Sequence, residues 1–433
     1  MNTTTLPPEA AATLHPVDLA ALLDLRPAEM ALAVLSGLPL ARRAETFGYL
    51  APETQITIAA LAPPRALAEL VTAMDADERA DLWARLPDAA RESLGRALAA
   101  TEREDIRTLS AYPSGTAGAV MTSEYAVLRP AMTARTAIEA LRGQAASKET
   151  IQVAYVLSPQ RRLIGTVSLE ELVLALADRP VAEIMRTDPP FVRADEPAEQ
   201  AARAVARYDL PAVPVINRED AMVGIVTADD AMDVAQAEAT EDFEKAGGTG
   251  AGLVADLRRA GIAVMYRKRA GWLVALVFAN ILSGFGIAAF EDTIAANLVL
   301  VFFLPLLIAS AGNAGSQAAT LTVRALATGQ VGLSDWSRML GREVLVALAL
   351  GLTMAAAVAG IGLWRGGPEV ALVVALTMVL VVVAGSLVGM SLPFLLDRMK
   401  MDPASASAPL VTSIADVTGV LVYFGIAAAI LPS

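Results

Sequence analysis

A single carboxylate, Asp416, lies in a stretch of the chain that is otherwise free of ionisable residues, Val411-Thr-Ser-Ile-Ala-Asp-Val-Thr-Gly419. An ionisable side chain is costly in hydrocarbon, and it usually faces an ion pathway or a partner on another helix. No basic residue between positions 408 and 431 can pair with it. Asp416 is therefore predicted to line a path for a cation. A partner on another helix, or a position near the membrane interface, is the alternative.

Two amide side chains, Asn313 and Gln317, lie four residues apart in Gly312-Asn-Ala-Gly-Ser-Gln317 and so share one face of a helix. The small residues around them allow another helix to approach closely. Carboxylate, amide and water oxygens together suit a hard cation such as Mg²⁺, which gives up its water reluctantly. Asn313 is predicted to line the same path, whereas Gln317 fits either the path or a helix–helix contact.

The residue types available for metal binding narrow the choice of ion. The chain has no cysteine and one histidine, His15, so disulfides and thiolate zinc sites are excluded. Any metal must be held by oxygen ligands, which suit Mg²⁺ or Ca²⁺. His15 precedes Pro16 near the start of the chain and is interpreted as a surface residue.

The two parts of the chain differ sharply in charge. From Gly271 onward there are 8 acidic and 6 basic residues, which leaves 38 acidic and 28 basic residues among the first 270. The first part is thus an acidic, water-soluble block, and no nucleic-acid partner is expected because such partners need a basic face. Residues 1–12 contain no apolar core segment and are not interpreted as a secretory signal.

Five apolar stretches in the second part are each long enough to cross a hydrocarbon core of about 30 Å. They are 271–290, 298–323, 344–364, 370–396 and 410–431. Basic residues lie before the first stretch, between the second and third, and between the fourth and fifth, whereas the opposite loops hold only Arg365. The positive-inside rule then predicts a membrane domain with the N-terminal part in the cytoplasm and Ser433 outside.

Residues 14–110 are predicted to form short stacked helices, because apolar residues recur at helical spacing and Pro, Asp or Thr restarts each segment. Within Met74-Asp-Ala-Asp-Glu-Arg-Ala-Asp-Leu-Trp83, Asp77 and Asp81 share one helix face. The pair fits a cation site or an ordinary solvated helix start equally well.

Residues 118–235 contain an internal duplication, whose copies open at Met121 and Met185. Each copy alternates strand and helix patterns, which predicts an α/β domain. Each also ends on a strand, 163–168 or 222–227, that leads into an acidic helix start.

This pattern resembles a pair of cystathionine-β-synthase (CBS) repeats. In that family an acid, three residues after the Ser or Thr that closes the strand, often binds the ribose of an adenine nucleotide. The resemblance implies Thr227 and Asp230 as a candidate nucleotide site with ATP as its ligand, and Ser168 and Glu171 as the matching pair of the first copy.

The order of these parts resembles the MgtE family of magnesium transporters from about residue 14 to residue 431. The resemblance rests on Glu238-Ala-Thr-Glu-Asp242, Gly312-Asn-Ala-Gly-Ser-Gln-Ala-Ala-Thr-Leu321, Val323-Arg-Ala-Leu-Ala-Thr328, Leu392-Pro-Phe-Leu-Leu396, Met401-Asp-Pro403 and Asp416-Val-Thr-Gly419. The family pattern Gly-Gly-Asn-x-Gly-Asn-Gln-Ser is changed here at Ala311, Ser316 and Ala318, while Asn313 and Gln317 are kept.

The resemblance implies a multidomain protein with four parts. These are an all-α superhelical N domain (14–115), tandem α/β CBS domains (116–237), a connecting plug helix (238–268) and an all-α transmembrane domain of five helices (269–433). It also implies a homodimer in the cell inner membrane that imports Mg²⁺ through a pore on the dimer axis. Asp416 would then be the ion-binding carboxylate, with Asn313 nearby.

The resemblance further implies that cytoplasmic Mg²⁺ binds acidic residues of the N domain, the CBS pair and the plug helix, and thereby closes the pore. The matching positions are Asp77, Asp81, Glu199, Asp209, Asp230, Asp233, Glu238, Glu241, Asp242 and Asp402. Pro197 stands where the family can carry an acid, which predicts a weaker or absent site there.

Two other functions compete with this interpretation. A CBS nucleotide-regulated transporter of another divalent cation or of an organic substrate is the alternative, although a basic residue inside a span would favour an organic anion and the sequence has none there. An enzyme is not expected, because the sequence contains neither Gly-x-Ser-x-Gly nor Gly-x-x-x-x-Gly-Lys-Ser/Thr, and no histidine pair.

Overall fold

The computed structural model describes residues 13–249 and 261–431. The chain divides into two compact units, Met1–Gln236 and Ala237–Ser433. Each unit contains its own buried apolar clusters.

The first unit begins with short helices, each of which packs against the helix two places further along the chain. This is the packing of a small superhelix, as the sequence predicts. Its core includes the buried side chains of Leu19, Phe47, Ile58 and Leu94. The helices are α1 (Pro16–Leu23), α2 (Ala28–Ser36), α3 (Leu40–Gly48), α4 (Pro52–Leu61), α5 (Pro64–Thr72), α6 (Ala76–Arg85), α7 (Asp88–Ala97) and α8 (Ala100–Leu109).

Two three-stranded sheets follow, one in each copy of the duplication. In each sheet the first strand is parallel to the second, and the second is antiparallel to the third. This confirms the predicted α/β pair. The first copy contains β1 (Tyr125–Leu128), α9 (Ala134–Gln144), β2 (Thr150–Leu157), β3 (Leu163–Ser168) and α10 (Leu169–Leu174). The second contains α11 (Val181–Ile184), β4 (Val192–Arg193), α12 (Ala198–Tyr208), β5 (Ala212–Ile216) and β6 (Met222–Thr227).

The two copies exchange their opening segments. Thr122, which opens the first copy, makes paired backbone hydrogen bonds of 2.9 and 3.0 Å with Ile225 in β6 of the second. Arg186, which opens the second copy, makes the equivalent bonds of 2.8 and 3.0 Å with Thr166 in β3 of the first. Neither sheet is therefore complete by itself, and the duplicated sequence folds as one unit.

The acidic helix after the second copy is α13 (Ala228–Ala246), which begins directly after β6 rather than near residue 238. The capping contact between Thr227 and Asp230 sets this start, because the Asp230 amide donates to the Thr227 hydroxyl. Residues 250–260 of the predicted connecting segment lie outside the described residues.

The second unit is helical, with α14 (Ile262–Ala288), α15 (Glu291–Ala296), α16 (Leu300–Ala327), α17 (Trp336–Arg398) and α18 (Ala408–Ile430). Among the described residues, four helices are long and apolar enough to cross a membrane, and α17 is more than twice the length that a single crossing needs.

Helix α17 is broken at Gly367, whose φ of 79° lies in the left-handed region that glycine tolerates. The two halves fold back on each other, because Gly351 lies against the backbone of Val379 and Gly362 against that of Ala371. The long helix thus provides two antiparallel spans. With α14, α16 and α18 it gives the five spans predicted from the sequence.

Candidate functional site

The carboxylate of Asp416 lies on α18 where this helix packs against α16. The two helices run antiparallel, since Ser316 and Thr412 hydroxyls are 3.4 Å apart and Gly419 lies next to Ile308. Asp416 lies between these two levels of the helix pair. Its side chain is half-buried, and its Oδ1 atom is buried without a hydrogen-bond partner among the described residues.

Small residues on α16 allow its other neighbour, the second half of α17, to approach backbone to backbone. A side chain on Gly385 would collide with the Ala311 carbonyl, and one on Gly389 with the Gly315 carbonyl. Ala311 and Ala318, two of the departures from the family pattern, are buried in this contact face. Both therefore serve helix packing. The third departure, Ser316, lies within hydrogen-bond distance of Thr412.

The two amides lie on the opposite face of α16. Asn313 and Gln317 are both exposed, whereas the intervening Ala314 and Gly315 are buried. The helical spacing that the sequence predicts therefore holds, and Gln317 does not pack between helices of the same chain. Glu343 was not predicted from the sequence. Its carboxylate accepts a hydrogen bond from the buried Ser386 hydroxyl on the facing half of α17.

A second group of carboxylates lies in the first unit, where α6 meets the CBS pair. Burial, reinforced by the charge of Asp230, raises the pKa of Asp77 to about 7. Burial likewise raises the pKa of Asp230 to about 6, although its 2.5 Å hydrogen bond from the Thr227 hydroxyl opposes the shift. The charge of Asp230 disfavours ionisation of Asp77, and among the described residues no counter-charge is a leading influence on the pKa of either acid.

Three further acids of this group were not predicted from the sequence. Burial, with repulsion from Asp77, raises the pKa of Glu78 to about 8. Burial also raises the pKa of Glu149 to about 8, against a hydrogen bond from Thr122, and it raises the pKa of Asp75. Arg79 lowers the pKa of Asp75 against this effect, but its guanidinium is already paired with Glu124 at 2.5 Å.

Two oxygens of this acidic group, Oδ1 of Asp77 and Oε2 of Glu149, are buried without a hydrogen-bond partner among the described residues. The run Asp75-Ala-Asp-Glu78 could have indicated the α6 members, whereas nothing in the local sequence distinguishes Glu149. Within 13–249 and 261–431, no three acidic or histidine side chains of this one chain are already arranged around a metal position.

A cavity of about 910 Å³ lies between the two CBS copies on the other side of the pair. Ser168, Glu171 and Arg186 line it together with Tyr208 and Asp209, which has the left-handed backbone φ of 50°. Burial by itself would raise the pKa of Glu171, but hydrogen bonds from Ser168 and Arg186 outweigh burial, so the pKa of Glu171 is lowered. Neither Thr227 nor Asp230, the pair predicted to bind nucleotide, lines this cavity. Asp230 of that pair lies near Asp77.

Comparisons with known proteins agree with this architecture. The family model described as the MgtE intracellular N domain matches residues 14–115, CBS domains match 117–178 and 181–237, and the MgtE divalent cation transporter model matches 304–426. The magnesium transporter MgtE of Thermus thermophilus is 39% identical over 96% of this chain and 93% of its own length. The Bacillus subtilis protein of that name is 30% identical over 97% and 93%.

The chain belongs to the MgtE family. Two solved structures share the fold of the soluble part. The cytosolic domain of the Mg²⁺ channel MgtE in complex with ATP matches with a TM-score of 0.51 and 36% identity, over 52% of this chain and 93% of that one. The soluble part of a magnesium transporter matches with a TM-score of 0.50 and 28% identity, over 53% and 91%. Because the family consists of divalent cation transporters, the prediction of a transporter rather than an enzyme is confirmed.

In this MgtE protein, one lysine holds two of the predicted sensor carboxylates. The ammonium of Lys245 lies 2.5 Å from Glu241 on the same helix and also pairs with Asp402, in the segment before α18. These hydrogen bonds outweigh burial and raise the pKa of Lys245. The lysine therefore ties α13 to the start of the last span within the second unit.

The remaining predicted sensor residues are dispersed. Asp81 is exposed and pairs with Arg85 at 2.6 Å, and Glu199 pairs with Arg203 at 2.5 Å. Asp233 is exposed, whereas Glu238 and Asp242 are half-buried on α13. Of the predicted set, the structure thus groups Asp77 with Asp230, and Glu241 with Asp402.

Proposed function

We propose that this MgtE chain imports Mg²⁺ through a pore lined by Asp416 and Asn313, and that cytoplasmic Mg²⁺ closes the pore. The observation that carries the proposal is the buried, unpartnered Oδ1 of Asp416 inside a membrane span. An oxygen that accepts no hydrogen bond in such a place is stabilised by a passing cation. The curated relatives in Thermus thermophilus and Bacillus subtilis are both named magnesium transporters.

A homodimer with its pore on the two-fold axis would supply two Asp416 carboxylates and two Asn313 amides to one ion. Mg²⁺ is usually held by one or two carboxylates while it keeps several waters. The exposed face of α16 that carries Asn313 and Gln317 suits such a position, because amides can bind the waters of a hydrated ion. Two carboxylates would also repel anions.

Closure is proposed to follow from neutralisation of acidic residues. Burial in the first unit raises the pKa values of Asp77 and Asp230, and Mg²⁺ would neutralise the repulsion that Asp230 adds at Asp77. A ligand that binds one arrangement more tightly shifts the population toward it. The proposed sensor residues are Asp77, Asp81, Glu199, Asp209, Asp230, Asp233, Glu238, Glu241, Asp242 and Asp402, and Pro197 is proposed to leave one family site weak.

The proposed arrangement places the protein in the cell inner membrane, with the N domain (14–115), the CBS pair (116–237) and the connecting helix (238–268) in the cytoplasm. The five-helix membrane domain would extend from 269 to 433, with Ser433 outside. The basic flanks of the spans support this orientation.

ATP is proposed to bind the CBS pair, since a related cytosolic domain was solved with ATP. The cavity beside Glu171 is large enough for a nucleotide. The cleft at Thr227 and Asp230 is the second candidate. It is less suited to a polyphosphate because the acidic side chains of Asp77 and Glu149 lie near Asp230 there.

The test is flux of Mg²⁺ into proteoliposomes that hold the purified full chain. We expect wild type to conduct at low Mg²⁺ on the cytoplasmic face and to close at high Mg²⁺. Asp416→Ala should be inactive or unselective, whereas the matched control Glu291→Gln, at an exposed acid of α15, should conduct normally. Normal Mg²⁺ flux through Asp416→Ala would refute the assignment of the pore carboxylate.

The same vesicles test the alternative function. If wild type carries Co²⁺, Ni²⁺ or Mn²⁺ but not Mg²⁺, the protein is a transporter of another divalent cation. If no divalent ion enters under any condition, a nucleotide-regulated carrier of an organic substrate becomes the better explanation.

A further inference from the structure

An apolar groove of about 600 Å³ lies on the membrane unit at the end where α17 both begins and finishes. Its walls come from Leu333 and Trp336 at the start of the helix and from Leu392, Phe394 and Leu395 in its last turns. The two halves of α17 fold back at Gly367, so this end is the one opposite the break. The groove is therefore an apolar recess near one surface of the bilayer.

One charged side chain, Arg398, lines this groove among the described residues. Arg398 is exposed and makes no ion pair with another described residue. Nearby acids are already engaged, because Asp335 accepts from the Gly332 amide at 2.9 Å and Asp402 pairs with Lys245. Asp397, the neighbouring acid in the chain, does not line the groove. The groove thus combines apolar walls with one uncompensated positive charge at its rim.

Trp336 forms the polar edge of the same recess. Its indole N–H lies 3.4 Å from the Ser391 hydroxyl, so the ring is held across the groove between the two halves of α17. Tryptophan is enriched at the level of lipid headgroups, where its apolar ring and its N–H donor are both satisfied. Trp336 therefore places the rim of the groove at the headgroup level.

We propose that this groove binds one anionic phospholipid, with its phosphate on the Arg398 guanidinium and an acyl chain along Leu333, Leu392 and Leu395. A guanidinium binds phosphate oxygens in a two-pronged geometry. An anionic phospholipid keeps the negative charge of its phosphate, whereas the choline cation of phosphatidylcholine neutralises that charge. Basic pockets between membrane helices are suited to anionic headgroups for the same reason. Arg338, Arg342 and Lys400 lie in the same chain segments but do not line the groove. The proposal does not depend on which ion the protein carries.

The test measures the melting temperature of the purified full chain in detergent as phosphatidylglycerol or phosphatidylcholine is added. We expect phosphatidylglycerol to raise the melting temperature saturably and phosphatidylcholine to have little effect. Arg398→Gln should need about fivefold more phosphatidylglycerol, as expected for one arginine at a membrane surface. The matched control Arg338→Gln, a basic residue of the same end that does not line the groove, should respond like wild type. Equal responses to both lipids, or an unchanged response in Arg398→Gln, would overturn the proposal.

A second measurement places the lipid. In a variant whose other tryptophans, at 83, 272 and 364, are replaced by phenylalanine, phosphatidylglycerol with brominated acyl chains should quench Trp336 fluorescence more than brominated phosphatidylcholine does. Quenching that is equal for both lipids would contradict a site for anionic lipid. If neither lipid quenches Trp336, and Trp336 is shielded in a crosslinked dimer, a second copy of the chain covers the groove. That result would overturn the lipid proposal. A melting shift produced equally by soluble glycerol phosphate would contradict the role of the apolar walls.

Discussion

At the scale of single residues, the acidic group around Asp77 should make the soluble unit less stable as pH rises. The folded-state pKa values of Asp77, Glu78 and Glu149 are raised to between about 7 and 8, above those of the unfolded chain. The folded state then binds more protons between about pH 4 and pH 8, and stability falls as pH rises through that window.

We expect residues 1–236 in chelator to melt roughly 4–8 °C lower at pH 8.5 than at pH 6, as for a loss of ~2 kcal/mol. The measurement is a thermal unfolding scan, and related cytosolic parts have been solved by themselves. Millimolar Mg²⁺ should remove most of the difference. Asp77→Asn should flatten the pH dependence, whereas Asp81→Asn should not, because Asp81 is exposed and paired with Arg85. A pH-independent wild type would contradict the repulsion between these carboxylates.

At the scale of elements, Lys245 ties α13 to the segment before α18. Lys245→Met leaves Glu241 and Asp402 as two neighbouring negative charges without their shared cation. We expect the full chain without Mg²⁺ to lose about 1 kcal/mol or less of stability, because all three side chains are partly exposed. Mg²⁺ should restore it, since a divalent ion can replace the ammonium.

The measurement is thermal unfolding in detergent with and without Mg²⁺. Lys400→Met serves as the control, because Lys400 lies two residues before Asp402 and makes no ion pair with a described residue. A loss of stability in Lys245→Met that Mg²⁺ leaves unchanged would mean that the lysine acts through packing alone.

The contact between α16 and the second half of α17 depends on glycine at two positions. Gly389→Ala places a methyl group against the Gly315 carbonyl, so the helices must separate. We expect a loss of about 1–3 kcal/mol, measured as a lower melting temperature and loss of Mg²⁺ flux. Gly284→Ala in α14, where no atom lies near the added methyl group, should be neutral or should gain up to about 1 kcal/mol. Equal effects of the two substitutions would argue against the close helix contact.

At the scale of the whole molecule, the proposed pore needs both chains. If each ion is held by two Asp416 carboxylates, a one-to-one mixture of wild-type and Asp416→Asn chains should retain about one quarter of the flux, because random pairing leaves that share of fully wild-type dimers. The measurement is Mg²⁺ flux in vesicles made from co-expressed, separately tagged chains. A flux of one half would indicate that each chain conducts independently.

Much of the fold was predictable because its determinants are local in sequence. Hydropathy over about 20 residues identifies the spans. A repeated strand pattern identifies the CBS pair, and helical periodicity identifies the N domain. Asp416, Asn313 and the proposed sensor acids were also named from sequence, since a carboxylate in an apolar stretch or an acidic helix start is visible without a structure.

Other features arise only from contacts between residues far apart in the chain. Three of these contacts join positions that no sequence window contains together. They are the exchange of Thr122 and Arg186 between the two copies, the approach of Gly389 to Gly315, and the Lys245–Asp402 pair. Residue type and local polarity were enough to predict Asp416, Asn313 and the proposed sensor acids as cation ligands, but they did not indicate Glu149. Which carboxylates are buried, and therefore have raised pKa values, depends on distances in space and is visible only in the folded protein.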